Sequence, residues 1–246
     1  MSENDRTQKE MSRYIDLEIY HRVEKTHPFY IEMAQEIITQ ISNYCKDDKK
    51  YEILELGAGT GLLTMELLGL PFCNVHALEL DSDCCYALRR HITHENCIIV
   101  NGDAVNYCKS RHFDVVVSSF AHDHICYDKA ADFAKNIRNN LLKGGIYVMG
   151  GEILPYYETS AERREALYKY HGYIINKALR DGFFEVAQIE INALKSGLEM
   201  IGDFKRHEAM FEKEMTDAGF TLLMKRKIGP LETHDVGGVF VYVYGN

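Results

Sequence analysis

No apolar stretch in the 246-residue sequence approaches the roughly 20 residues that a membrane-spanning helix needs. The first ten residues, MSENDRTQKE, are polar where a signal peptide would be apolar, so a soluble, cytoplasmic protein with no membrane partner is expected. Positive charge is scarce: the formal net charge is -9, and no Lys/Arg run is longer than Lys225, Arg226 and Lys227. The counterion release that drives nucleic-acid binding has no evident surface to act through, and nucleic acid is not expected as a partner. The 7 cysteines all lie between Cys45 and Cys126, and none forms a CxxC pair. Reduced thiols fit that pattern better than a disulfide framework. Cys84, Cys85, His91 and His94 come nearest to a metal-site spacing, but the adjacent cysteines point to different sides of a helix, so no metal is expected. Internal repeats and low-complexity segments are also missing.

What the chain does have is a hydrophobic content of 46%, enough to bury one large core with additions. Residues 7 to 45 read as helical, with Tyr30, Met33, Ile37, Ile41 and Tyr44 spaced by three and four after Pro28. After the polar break CKDDKK, apolar runs of strand length alternate with helical patterns. YEILEL leads to a helix from Thr60, NVHALEL to one from about Asp81, CIIV to a short helix after Asp103, and FDVVVSS to a helix through KAADFAKNIRNNLL ending at Gly144 and Gly145; GIYVMGG is a fifth strand. Such alternation calls for a parallel sheet covered on both faces, with ligands at the carboxyl ends of the strands.

Between Tyr156 and Gly202 the alternation stops. Leu167, Tyr170, Ile174 and Ala178 form one helical stripe, and Ala187, Ile191, Leu194 and Leu198 another, which predicts two inserted helices. A helix through FKRHEAMFEKEMTDAG and the strands FTLLMKRKI and GGVFVYVYG then resume the core pattern.

The segment ELGAGTG brings an apolar strand into a turn with Gly57, Gly59 and Gly61 at alternate positions. Glycine tolerates positive φ and lets a ligand approach the main chain, while the helix that follows points free N–H groups at it. The spacing differs from the G-x-G-x-x-G of dinucleotide sites, which disfavours a nicotinamide oxidoreductase. ELGAGTG resembles the first motif of class I S-adenosylmethionine (SAM) dependent methyltransferases, small-molecule type, and the resemblance extends from Tyr51 to Gly151 and returns at the C-terminus. It implies an α/β, Rossmann-like sheet of seven strands in the order 3-2-1-4-5-7-6, the last strand antiparallel, with N-terminal helices and a helical lid insert. The corresponding division is an N-terminal helical segment (1–48), a SAM-binding core (49–154), the lid (155–202) and the C-terminal part of the core (203–246).

The same resemblance implies site residues. Glu55, Gly57, Ala58, Gly59 and Gly61 belong to the first motif, and Glu79 with Leu80 would serve the ribose, a carboxylate being able to accept from two hydroxyls at once. Asp103 and Ala104 would serve the adenine, and Ser119 lies in the fourth motif beside the methyl group. Just past that strand, His122, Asp123 and His124 are the candidates for removing a proton from the acceptor, since imidazole titrates near neutrality. SSFAHD lacks the Asn/Asp-Pro-Pro-Tyr motif of the branch that methylates DNA bases and glutamine. Tyr20, His171 and Glu190 are the candidates for substrate contact; Tyr14 and His21 would help close the same mouth. The expected function is methyl transfer from SAM, yielding S-adenosylhomocysteine (SAH), to an N or O atom of a small polar metabolite, with a homodimer as a possible assembly. The alternatives are a protein or peptide methyltransferase and a non-catalytic SAM-binding module.

Overall fold

The apolar run Tyr51–Leu56 becomes β1 of a seven-stranded sheet in the computed structural model, which describes residues 12, 16–46, 49–110 and 112–246. Parallel to it on either side lie β2 (Cys73–Glu79) and β4 (Phe113–Ser119), with β3 (Cys97–Asn101) outside β2 and β5 (Leu141–Ile153) beyond β4. β7 (Gly238–Gly245) runs antiparallel to both its neighbours, β5 and β6 (Thr221–Gly229). The order is therefore 3-2-1-4-5-7-6, as the resemblance implies.

Central strands buried on both faces need apolar residues at successive positions, and these have them. On one face Ile53, Val75, Val115 and Val148 pack against Met33, Ile37 and Ile41 of α2 (Tyr30–Tyr44) and Leu63 and Leu67 of α3 (Leu62–Leu68). On the other, Leu54, Val116, Tyr147 and Tyr242 meet Phe133 and Ile137 of α5 (Ala130–Asn140) and Phe211 and Met215 of α8 (Glu208–Asp217). Each such large apolar side chain adds about 1.5–3 kcal/mol when fully buried, so a one-residue register slip would forfeit many of these contributions together. The first face also carries α4 (Ser82–His91), whose N-cap Asp81 accepts from the N–H groups of Asp83 and Cys84.

The lid is two helices, α6 (Ser160–Asp181) and α7 (Phe184–Glu199). A capping box of Thr159 and Glu162 opens α6, and Gly182, at φ +83°, ends it. Leu167, Tyr170, Ile174 and Ala178 are all buried, as their stripe predicts. On α7 the stripe holds except at Ile191, which is exposed: Ala187 is buried, Leu194 and Leu198 are half-buried against α6, and Val186, Glu190 and Gly197 also face inward.

Several boundaries also differ from expectation. The N-terminal helical stretch is α1 (Leu17–Val23), a 3₁₀ turn (Glu24–Thr26) and α2, separated by a bend at His27–Phe29 where Phe29 takes φ +70°. Pro28 supplies the physical reason, because it disfavours helical geometry in the residue before it. Residues 7–11 and 13–15, including Tyr14, lie outside the described residues. No helix follows Asp103, only a turn, and α5 stops at Asn140, before the Gly144–Gly145 pair.

Candidate functional site

At the end of β1 the chain leaves the sheet while still bonded to it: the N–H groups of Gly57 and Ala58 both donate to the carbonyl of Leu78. Gly57 sits at φ +69° and Gly59 at φ +55°, in the left-handed region that glycine adopts readily. A Cβ on Gly57 would stand 2.6 Å from the Cβ of Ala121, whereas one on Gly59 would meet no atom within 4 Å. That open space belongs to a cleft of about 990 Å³ at the carboxyl ends of the strands, lined by Gly57, Gly59, Glu79, Leu80, Asp103, Ala104 and Ser119 among others.

Glu79 closes β2 with its carboxylate fixed at both oxygens. Oε2 accepts the N–H of Gly59 at 2.8 Å and Oε1 that of Asp81 at 2.8 Å, each keeping a second lone pair for a ligand hydroxyl. Burial raises its pKa, against the pull of these two bonds. Asp103 accepts the N–H of Val105 at 2.9 Å, which holds the turn against the cleft. Glu55 and Ala58 line a narrower arm, together with Tyr30, Thr60 and Ser119. Burial pushes the Glu55 carboxyl up to about 8, although Thr64 donates to it at 2.6 Å. Gly61 lines neither space; at φ +96° it caps α3, and a Cβ there would run into Leu88. Its role is helix packing rather than ligand contact.

These residues suit SAM: the paired acceptors of Glu79 would fit a ribose, the acidic turn at Asp103 an adenine, and the glycines leave room for a methionine. Glu79→Ala should weaken SAM binding by about 1 to 3 kcal/mol, the usual effect of leaving hydrogen-bonding groups unpaired. Calorimetry showing unchanged affinity would reject the ribose assignment.

A second cleft of about 700 Å³ lies under the lid and shares Tyr20, Phe120 and His124 with the first. The Nδ1 of His124 lies 2.6 Å from the carbonyl of Gly202, which can only accept, so Nδ1 carries the proton and Nε2 is the ring's acceptor. Asp123 also lines this cleft; burial holds its carboxyl up to about 8, with Lys205 opposing. Lys205 reaches Asp203 at 2.5 Å and Glu152 at 2.9 Å, and the two carboxylates keep its ammonium well above its usual pKa despite burial. The segment that returns from the lid is pinned beneath: Phe204 N–H donates to the carbonyl of Asp123 at 2.7 Å, and Arg206 Nη1 to that of Ile125 at 2.6 Å.

Glu190 is held between two imidazoles, with Oε1 3.1 Å from His27 Nε2 and Oε2 2.8 Å from His171 Nδ1. It faces the cleft, while His171 stands behind it, fully buried. Burial alone would lower the pKa of His27, but the hydrogen bond and charge of Glu190 raise it to about 9. A raised pKa stabilises the fold fully below the unfolded value near 6.5 and is lost as pH rises through about 9. Thermal stability should therefore fall over that window, less steeply in His27→Gln. Glu24, which burial raises to about 7, adds a slope of the same sign, so identical slopes in the two proteins would refute the His27 contribution.

The structure does not bring His122 to either cleft, which corrects its grouping with the proton acceptors. Its ring packs edge-on against Phe133 and Phe211 and its Nε2 lies 3.2 Å from Glu214, under the sheet. Successive residues of the 3₁₀ turn His122–His124 point in different directions, so the three cannot act together. Sequence reasoning missed Glu24, His27, Glu152, Asp203 and Lys205. Glu152 alone had a signal, as a charged residue at the carboxyl end of an otherwise apolar strand.

Residues 53–145 match the methyltransferase domain family. The ribosomal RNA small subunit methyltransferase A of Prochlorococcus marinus is 37% identical over 67 residues, 27% of this chain; the chain covers only 23% of that relative's length. Among solved structures, an S-adenosylmethionine-dependent methyltransferase from Clostridium acetobutylicum superposes with a TM-score of 0.62 at 14% identity, covering 93% of this chain and 96% of that one. A chain of the Haloferax volcanii complex between the Trm112 methyltransferase activator and a methyltransferase gives 0.66 at 14% identity, covering 97% and 96%. With its strand order, its glycine turn and the acidic residue closing β2, the chain has the Rossmann-like fold of class I SAM-dependent methyltransferases, and its residues 53–145 belong to the methyltransferase domain family.

Proposed function

We propose that the chain transfers the methyl group of SAM to an N or O atom of a small polar metabolite bound in the second cleft. The observation that carries this reading is that two clefts of different chemistry meet at Tyr20, Phe120 and His124, next to Ser119 at the end of β4. SAM supplies, when bound, an electrophilic methyl group on a sulfonium. The chain's own part is to hold the acceptor in line and to receive its proton, and in-line positioning alone is worth several kcal/mol of barrier. His124 Nε2 is the first proton acceptor and Asp123 the second; Tyr20 and Glu190 contact the acceptor, and His171 fixes Glu190 from behind.

A polyanionic substrate fits poorly. The net charge is -9, and five carboxylates, from Glu24, Asp123, Glu152, Glu190 and Asp203, line the acceptor side. Among the described residues no helix is long and apolar enough to cross a membrane. The test is to incubate the purified protein with methyl-labelled SAM and, separately, a small-metabolite fraction, total protein and total RNA. Label is expected in the metabolite fraction, with SAH released in equal amount. Label in protein or RNA would replace the substrate class, and SAM binding without release of SAH would mean a binding module.

A further inference from the structure

The acceptor cleft contains more buried negative charge than its own cations neutralise. Lys205 satisfies Asp203 and Glu152, and His27 satisfies Glu190. Two carboxylates remain. Asp123 and Glu24 are each only 5% exposed and line the cleft, and neither makes a side-chain hydrogen bond to any described residue. Lys205 and Arg206 attract Asp123, and His27 attracts Glu24, but burial outweighs this pull in both, so an added hydrogen-bond donor of positive charge in the cleft would stabilise them. The remaining wall includes the rings of Tyr20 and Phe120, whose faces attract cations.

We propose that the second cleft is an amine site: the acceptor is a small molecule carrying an amino or ammonium group, its nitrogen hydrogen-bonds Asp123 and Glu24, and that nitrogen is the atom methylated. The inference rests on the methyl-transfer reading above and narrows its substrate. Carboxylates accept hydrogen bonds, an ammonium only donates them, and the charges oppose, so the match is one of hydrogen-bonding sense and of charge. An acidic or phosphorylated acceptor would meet five carboxylates and a lysine already engaged twice. The ammonium must give up one proton first; the freed nitrogen lone pair then forms the N–C bond as the S–C bond, whose electron pair stays on sulfur, breaks. The one proton released from nitrogen passes to Asp123 or to His124 Nε2, both facing the cleft. Burial raises Asp123 to about 8 and Glu24 to about 7, and the positive charge of an entering ammonium would favour their ionised, accepting form.

A divalent metal ion is the competing occupant, because ligand atoms of His27, Glu152 and Glu190 lie within 4.8 Å of one another. The hydrogen bonds of His27 oppose it. Its Nδ1 lies 3.1 Å from the carbonyl of Pro28 and its Nε2 3.1 Å from Glu190, two acceptors, so both ring nitrogens hold protons and neither offers a lone pair.

The experiment titrates the protein with SAH by calorimetry, then titrates the SAH-loaded protein with benzylamine, benzyl alcohol and benzoate, three probes of similar shape and different charge. Benzylamine is expected to bind at least about tenfold more tightly than the other two. Asp123→Asn and Glu24→Gln should each reduce that preference by about tenfold, with SAH affinity unchanged as the sign of an intact fold. Equal or tighter binding of the alcohol or benzoate, or no heat from millimolar benzylamine, overturns the amine site and leaves the methyltransferase reading intact. Manganese ions binding to the wild type but not to His27→Gln would also overturn it, in favour of a metal. Failure of SAH itself to bind would instead overturn the methyltransferase reading.

Discussion

Gly59→Val is expected to bring SAM binding below detection while leaving the chain folded. At φ +55° a β-branched residue is strained by about 1–3 kcal/mol, which a sheet of seven strands with two apolar faces can absorb. Among the described residues, none but its chain neighbours lies within 4 Å of where the new Cβ would go, so its bulk enters the space left for ligand. The strain would also pull the Gly59 N–H from Glu79 Oε2, disturbing the ribose acceptor at the same stroke. Gly57 would be a poorer test, since a Cβ there already collides with Ala121 and could fail by misfolding. Calorimetry with SAM, alongside thermal unfolding of the same variant, separates the two effects. A folded variant that binds normally would show that the turn is not the methionine cradle.

His124→Ala should lower kcat by about 10²- to 10⁴-fold, the usual range for loss of a general base, with SAM affinity little changed. The ring is oriented by the Gly202 carbonyl and presents Nε2 where the two clefts join, so truncation removes the acceptor without emptying a core position. Added imidazole should restore part of the rate. Asp123→Asn, nearly the same shape, is expected to lose turnover as well. Should both variants turn over at close to the wild-type rate between about pH 6 and about pH 9, neither takes the proton.

The cofactor half of the site was legible because its residues are local in the sequence. Glu79 and Asp103 each end a strand or open a turn next to the glycines, and the alternation of apolar runs places those strands side by side. The acceptor half was not legible, because it is assembled from α1's trailing turn, the end of β5, α7 and the segment after it. Glu190 illustrates the difficulty. The apolar stripe of α7 packs inward at Ala187, Leu194 and Leu198 but not at Ile191, and beside it the imidazoles of His27 and His171 make an inward Glu190 stable. Lys205 and Arg206 looked like the polar start of a helix, yet both are buried, because carboxylates and carbonyls from distant segments meet them. His122 misled for the opposite reason: adjacency in sequence suggested a shared task, and a tight turn sends it to the other layer.

The segment that returns from the lid has a bearing on timing. Gly202 orients His124, Phe204 ties down the turn carrying Asp123, and Arg206 braces the residue after His124. Any swing of the lid large enough to drag residues 202–206 away would break these three links together. The imidazole would then be free to spin and exchange tautomers. On the proposed reading of His124 as the base, a molecule opened in that way would be an idle one, its base out of alignment until the segment settles back.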